Sequence, residues 1–221
     1  MRLYIMALLC ICLFATAAAA TEADDLALAV ADAQKANQGA ITKYSWEVKT
    51  ELFMEDVSKA TSISECRFNS EGKLESTVIG GESSTEKKRG VRGHRQEKKM
   101  EDFAAYLEGV LEHSFQYIFM SKGTLVDVFD RAKIAETEKS IDVSAGDLFV
   151  KGDVLSMSVD PATKLATGLT FKTTLGEDTI QGTVSMKMLE NGPGTPGHIE
   201  IEIPTQKIKI TSETYDWTKQ K

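Results

Sequence analysis

The sequence predicts an α+β fold in which helices cover one face of an antiparallel sheet of about eight or nine strands. Apolar and polar residues alternate, with the period of a half-buried strand, over residues 44–54 and again over most of 140–217. Apolar residues recur at three- and four-residue steps, the period of a helix, over residues 100–120. The connections between the predicted strands are too short for parallel crossovers, so neighbouring strands should be antiparallel.

The first twenty residues predict a secretory signal peptide. Arg2 is followed by an apolar run from Leu3 to Phe14 and then by small residues up to Ala20. A membrane anchor needs about 20 apolar residues, and here the large side chains end at Phe14. We therefore expect cleavage after Ala20, an exported protein, and a single mature domain over residues 21–221.

Composition narrows the classes of function. The chain has a formal net charge of −7 and 42% hydrophobic residues. This composition excludes global disorder, and it excludes a general nucleic-acid binder, which needs a basic balance. Of the three cysteines, Cys10 and Cys12 lie in the predicted signal peptide, so Cys66 remains alone and no internal disulfide is expected.

Three helices are predicted. The first runs from Thr21 to Gln38, with Gly39 as a left-handed stop. The second covers residues 100–120 and ends before Gly123, and the third runs from Leu125 to near Glu136. The apolar stripe of the first helix is narrow, so this helix must lie against another element. The stripe consists of Leu26, Ala29, Val30 and Ala33.

Three strands should precede the central helices, and five or six should follow them. The first three are predicted at Tyr44 to Met54, Lys59 to Asn69 and Leu74 to Ile79, with a hairpin turn over residues 69–73. The later strands are separated by turns rich in Gly, Pro and Asp. These turns lie at residues 160–163, 176–178, 191–197 and 204–205.

Residues 80–99 follow neither period. They combine many Lys and Arg residues with four glycines and one large apolar residue, Val91. Such a segment cannot bury enough surface to offset its ordering entropy, so we predict a mobile basic loop. The alternative is that residues 87–99 contact an anionic membrane surface.

No catalytic or metal-binding motif is found. The histidines are widely spaced, and neither H-x-x-x-H nor H-E-x-x-H occurs. Cys66 follows the pattern of a small packed hydrophobic residue, and flanking turns explain Asp153 and Asp160. We therefore predict a non-enzymatic protein without a metal or a cofactor. The histidines are His94, His113 and His198.

Long, flexible or aromatic apolar side chains lie on the predicted inner faces of the strands. They could form a plain core. Methionine, however, adapts to irregular ligands as well as filling gaps, and a curved sheet with little helix to cover it can leave an apolar groove. The candidate cavity residues are Trp46, Val48, Leu52, Leu155, Met157, Leu169, Phe171, Val184, Met186 and Ile201.

The order of elements and three segments resemble the bacterial lipoprotein-carrier (LolA-like) superfamily. The segment from Gly152 to Leu165, with the strand through Phe171, is similar to its periplasmic members. So are the opening Tyr44-Ser45-Trp46 and the ending from Ile208 to Trp217. The resemblance covers most of the mature chain.

This resemblance implies an unclosed half-barrel of about eight to ten strands in the periplasm. Acyl chains of a lipid or a lipoprotein would lie in its concave face. The N-terminal helix and the central helical pair would pack on or in that face as a lid. The alternative is a structural or envelope-sensing domain of the same fold, with a filled interior, that binds a protein partner.

Overall fold

The structure is a computed structural model that describes residues 24–69, 73–83 and 91–220, with the backbone alone at residues 83 and 91–97. The predicted signal peptide, residues 1–20, lies outside the described residues. So do residues 70–72 of the first hairpin turn and residues 84–90 of the predicted basic loop.

Three helices and ten strands form the described chain. The helices are α1 (24–41), α2 (Val91–Ile118) and α3 (Lys122–Arg131). The first five strands are β1 (Tyr44–Met54), β2 (Val57–Phe68), β3 (Leu74–Ser83), β4 (Lys133–Glu136) and β5 (Ile141–Gly146). The other five are β6 (Val154–Val159), β7 (Ala166–Leu175), β8 (Asp178–Met188), β9 (Gly194–Ile203) and β10 (Ile208–Lys219).

All ten strands belong to one antiparallel sheet, in the order β3-β2-β1-β10-β9-β8-β7-β6-β5-β4. Each strand pairs with its sequence neighbour, except that β1 pairs with β10 and the helices separate β3 from β4. Among the described residues, β3 and β4 each pair on one side only, so the sheet is open. The predicted α+β fold with an unclosed sheet is confirmed.

The two halves of the sheet differ in their burial. In β5, β6 and β7, and in most of β8, buried and exposed residues alternate, as expected of a sheet with one apolar face. In β1 and much of β9, residues on both faces are half-buried. Their outer face carries long charged side chains. One example is Glu200 of β9, whose Oε2 lies 3.3 Å from Nζ of Lys209 in β10, and Glu202 Oε1 lies 3.6 Å from the same Nζ.

The helices lie over the buried half of the inner face. α2 packs on β7 and β8, and α3 packs on β5. α1 is held at its C-terminal half because the Asn37 amide exchanges two hydrogen bonds with the backbone of Gly194. Asn37 Nδ2 donates to the carbonyl at 2.7 Å, and the Gly194 N–H donates to Oδ1 at 2.8 Å. An ion pair between Asp32 and Lys122 joins α1 to the first residue of α3.

Several predicted boundaries of α1 and α3 are wrong. α1 continues through Gly39, which has no positive φ. Its buried side chains are Ala27, Val30 and Ala31, whereas Ala29 of the predicted stripe is exposed. Docking onto the sheet at Asn37 fixes this face. α3 begins at Lys122 because the Ser121 side chain caps it by accepting from the Thr124 N–H, so Gly123 lies inside the helix.

The prediction of a mobile basic loop over residues 80–99 is wrong for the parts of this segment that the structure describes. Residues 80–83 extend β3, and residues 91–99 form the first turns of α2. Lys, Arg and Gln are good helix formers, so a polar composition here does not prevent a helix.

Residues 133–136, predicted as the end of a helix, form the edge strand β4 instead, and β9 begins at Gly194 inside the predicted turn. No described helix has the length and apolar character needed to cross a bilayer.

Candidate functional site

Six of the ten predicted cavity residues lie together on the inner face of β6 to β9. Their side chains are 1% to 6% exposed: Leu155, Met157, Leu169, Phe171, Val184 and Ile201. Direct cross-strand partners among them are Leu155 with Phe171, Met157 with Leu169, and Leu169 with Val184. The structure thus brings these six residues together, but as part of the packed core beneath the helices.

Phe171 is the centre of the contact between α2 and the sheet. Its ring stacks on that of Tyr117 of α2, with centroids 4.7 Å apart and an interplanar angle of 7°. The other side of the ring lies over Gly182, where an added Cβ would stand only 2.1 Å from a ring carbon. Gly182 therefore provides the space that the ring occupies.

Polar side chains also fasten α2 to the sheet. The Tyr117 hydroxyl donates to Asp153 Oδ2 at 2.6 Å and lies 2.9 Å from Thr173 Oγ1. His113 Nε2 lies 3.1 Å from the same Thr173 oxygen. Nearer the start of α2, the Tyr106 hydroxyl donates to Asp178 Oδ2 at 2.8 Å. The contact therefore combines one aromatic stack with hydrogen bonds at several levels along the helix.

Asp153 is a structural acceptor. Burial by itself raises the pKa of its carboxyl, but the Tyr117 hydroxyl and the backbone N–H groups of residues 148–150 outweigh burial and hold the pKa below its ordinary value. Those three N–H groups donate at 2.7 to 3.0 Å. Burial and Asp153 together raise the pKa of Tyr117, while burial and Asp178 raise the pKa of Tyr106 to about 12. At neutral pH the tyrosines are donors and the aspartates are acceptors.

The other four candidates lie elsewhere on the inner face. Trp46 is 8% exposed but does not belong to the main core cluster. Val48, Leu52 and Met186 are half-buried. Since α2 packs on β7 and β8 and α3 on β5, the inner face of β10, β1, β2 and β3 lies outside the main contacts of these two helices in the described part of the chain. We call this face the uncovered half.

The uncovered half has three zones. One end is aromatic, the middle carries hydroxyl groups, and the other end is aliphatic. The aromatic zone contains Tyr44, Trp46, Phe68 and Trp217. The hydroxyl zone contains Thr50, Ser62, Ser64 and Ser212, which face one another across β2, β1 and β10. The aliphatic zone contains Leu52, Met54, Ile208 and Ile210.

The sequence analysis missed Trp217 as a residue of this face. Strict alternation from Ile208 places position 217 on the outer face. A register shift opposite residues 45–47 and a positive φ of 51° at Asp216 move Trp217 to the inner face. There its ring stacks on Trp46 with centroids 4.5 Å apart, and its Nε1 donates to Thr214 Oγ1 at 3.2 Å. Both tryptophans of the chain therefore lie in the aromatic zone.

A surface pocket of about 490 Å³ lies beside α1, and we call it the α1 pocket. A second pocket, of about 620 Å³, lies beside Arg67 and Glu75. Neither pocket is lined by any of the ten predicted cavity residues. The α1 pocket is lined by Ala33, Ala36, Asn37, Ala40, Lys43, Tyr44, Thr163, Leu165, Asn191, Gly192, Pro193 and Lys219.

The residues that could carry chemistry have structural contacts. Cys66 is 6% exposed, with its Sγ 3.5 Å from Ser76 Oγ. His198 lies 3.7 Å from Glu213, and Asp160 accepts from the backbone N–H groups of its own turn. Among the described residues, no group of three His, Cys, Asp or Glu side chains could hold a metal ion. The arrangement offers apolar surface and pockets for binding.

Comparison with known proteins finds solved structures of similar fold, among them two bacterial proteins. No protein-family model and no curated protein matches the sequence. A DUF1329 family protein from Desulfovibrio piger aligns with a TM-score of 0.42 and 9% identity, over 90% of this chain and 92% of its own. A LolA superfamily protein from Nitrosomonas europaea aligns with a TM-score of 0.36 and 8% identity, over 85% of this chain and 93% of its own. The second is described as a protein of the superfamily that the sequence resembles.

Proposed function

We propose that this chain is a non-enzymatic carrier that holds acyl chains of a lipid or a lipoprotein on the inner face of its sheet. The unequal cover of that face is the observation that supports this function. Helices α2 and α3 pack on β5, β7 and β8, whereas the uncovered half keeps half-buried aromatic side chains (Tyr44, Phe68 and Trp217) at one end and half-buried Leu52 and Met54 at the other. A contiguous apolar patch that is not fully buried is a feature of binding sites.

The acyl chain would enter along β1, over Trp46, Val48 and Leu52. It would continue past Met186 towards the six buried candidates as α2 moves away from the sheet. Hydrogen bonds between α2 and the sheet can be replaced by hydrogen bonds to water at low cost, because a typical hydrogen bond contributes only about 0.5–1.5 kcal/mol net to stability. Burial of a sixteen-carbon chain would contribute about 13 kcal/mol at about 0.8 kcal/mol per methylene, which is of the size needed to offset opening and association costs.

The neutral fluorophore N-phenyl-1-naphthylamine tests this function, with a palmitoylated peptide as the competitor. Both tryptophans lie in the aromatic zone, so energy transfer from tryptophan reports binding near this zone, and the two variants that follow separate the inner face from the outer face. Val48→Glu places a charge on the inner face and should weaken binding at least tenfold. Phe53→Glu makes the same change in charge on the outer face of the same strand, opposite Lys209, and should leave binding unchanged. Equal affinity of the Val48→Glu and wild-type proteins would contradict the proposal.

Native mass spectrometry separates the carrier from the alternative function. Protein purified from a bacterial envelope should carry additional mass that matches a lipid or an acylated peptide. A clean apo mass, together with no binding of the neutral fluorophore, would instead favour an envelope domain that binds a protein partner.

We also propose export to the periplasm with cleavage after Ala20. N-terminal sequencing of the periplasmic protein should then begin at Thr21, and a sequence that begins at Met1 would contradict export by cleavage.

We further propose that the basic segment of residues 87–99 contacts anionic membrane during loading. Lys98 and Lys99, within this segment, are exposed at the start of α2. Replacing both with Gln should weaken binding to phosphatidylglycerol vesicles at low salt, where surface charges are least screened. The control pair Lys133→Gln and Lys139→Gln should bind as the wild type does. Identical vesicle binding by both pairs would contradict this contact.

A further inference from the structure

We propose that the α1 pocket, which shares only Tyr44 with the aromatic zone, is a second ligand site and that it takes a single-chain amphiphile with a carboxylate head group. Its α1 wall is made of Ala33, Ala36 and Ala40, which lie on one side of the helix at three- and four-residue steps. Their side chains end at Cβ, so the space above them stays empty. Leu165 and Pro193, from two turns of the sheet, form an apolar wall of the same pocket.

Local contacts fix the shape of the pocket. The two hydrogen bonds between Asn37 and Gly194 hold α1 against the start of β9. Gly192 lies so close to Tyr44 that an added Cβ would stand 3.0 Å from the tyrosine hydroxyl oxygen. A volume of about 490 Å³ is within the range of small-molecule sites, which is about 300–1,000 Å³. The cavity is thus formed before a ligand arrives, which lowers the cost of binding.

Two lysines give the pocket its preference for an anion. Lys219 lies directly opposite Tyr44 in the pairing of β1 with β10. The next residue, Gln220, donates its N–H to the carbonyl of Lys43 at 2.7 Å. Lys43 and Lys219 therefore lie where the start of β1 meets the end of β10, and both line the α1 pocket. Neither makes an ion pair with a carboxylate in the described part of the chain, although the protein has a net charge of −7.

The combination of features selects the ligand class. An apolar wall accommodates an alkyl chain, and a pair of unneutralised ammonium groups attracts a negative head. A neutral lipid would leave the lysines without a partner, and an inorganic anion would leave the alanine wall exposed to water. A carboxylate on an alkyl chain satisfies both. The lysines also lie near the C-terminal end of α1, where they could simply offset the helix dipole. That role affects stability and not binding.

Calorimetric titration with decanoate tests the site, with decanol and decyltrimethylammonium as neutral and cationic probes of the same chain length. We expect saturable binding of decanoate below its aggregation concentration and much weaker binding of the other two. Lys43→Gln with Lys219→Gln should weaken decanoate binding at least tenfold. The control pair Lys133→Gln and Lys151→Gln, which makes the same change in charge away from the pocket, should bind decanoate as the wild type does.

Ala36→Phe tests the apolar wall independently. Ala36 is exposed and lines the pocket, so the ring should fill the cavity and abolish decanoate binding without loss of fold. Unchanged decanoate binding by Ala36→Phe would overturn the proposal. So would unchanged decanoate binding by the Lys43→Gln, Lys219→Gln double variant, even where its melting temperature falls. Val48→Glu should bind decanoate normally. These variants therefore distinguish a failure of the proposed acyl-chain site on the inner face from a failure of the proposed carboxylate site in the α1 pocket.

Discussion

Gly182→Ala is the sharpest test of how tightly the covered half of the sheet is closed. An alanine Cβ at this position would stand 2.1, 2.2 and 2.8 Å from three carbons of the Phe171 ring, whereas carbon atoms pack best at about 3.5–4.0 Å. The ring cannot move away from β8 without pushing on Tyr117. The hydroxyl of Tyr117 is in turn fixed by Asp153 and Thr173.

The expected loss of stability follows from this geometry. Inserting one carbon into a closed core usually costs about 1–3 kcal/mol, and the short distances place Gly182→Ala at the upper end. The intrinsic preference of a strand for alanine over glycine offsets only about 0.5–1 kcal/mol. For a domain of this size, 1 kcal/mol corresponds to about 2–4 °C, so the melting temperature should fall by about 5–10 °C.

Gly109→Ala is the matched control. Gly109 lies in the middle of α2, and no atom comes within 4 Å of the position of an added Cβ. The same substitution there should raise stability by about 0.5–1 kcal/mol. Thermal and urea unfolding of both variants give the comparison. In a Phe171→Leu background, the loss caused by Gly182→Ala should be smaller, because the two sites are in contact. A Gly182→Ala protein as stable as the wild type would refute the inference that the helix-covered half of the sheet is tightly packed.

Four more outcomes are expected. Thr195→Val should raise the free energy of unfolding by about 1 kcal/mol in urea titrations, because the buried Thr195 Oγ1 has no hydrogen-bond partner among the described residues. Tyr117→Phe should lower it by about 1.5–3 kcal/mol by removing a hydrogen bond to a charged group. The pKa of Asp153 is lowered on folding, so its stabilisation is present above the unfolded value of about 3.9 and is lost at lower pH; the stability gap between wild type and Asp153→Asn should therefore narrow from pH 5 to pH 3. Hydrogen exchange in α2 should rise when the neutral fluorophore binds, if the ligand displaces this helix; unchanged protection would contradict that motion.

The parts of the fold that could be predicted are those in which one sequence period coincides with one buried face. β5 to β8 alternate strictly because helices cover one face and water covers the other. The strand β4, with the sequence Lys-Ile-Ala-Glu, is too short to show a period and could not be separated from the end of a helix. The start of α2 was missed because its first turns carry basic side chains. Helix propensity, and not hydrophobic periodicity, is the signal there.

The sequence could predict which residues share the candidate site, but not whether that site is open or closed. Alternation alone places Leu155, Phe171 and Val184 on one face. Whether that face is open depends on where α2 docks, and the contacts that dock it join Tyr117 to residues 36 and 56 positions away. The α1 pocket was not predictable, because it combines a helix, two turns, the start of β1 and the end of β10, and only the β1–β10 pairing brings the two strands together. Long-range pairing of this kind leaves no local pattern in a single sequence.

The zoning of the uncovered half explains why acyl binding and helix movement should be coupled. A hydrocarbon chain lying only on β10, β1 and β2 would cross the hydroxyl zone around Thr50 and Ser212, whose oxygens lie 3.1 Å apart. Methylene groups gain little there, because the hydroxyls would have to give up water. Continuous apolar surface begins at Leu52 and Ile210 and extends through Ile201 beneath the helices. A chain that follows it must take the place of side chains that α2 now contacts, so the same contacts that stabilise the empty protein set the cost of loading it.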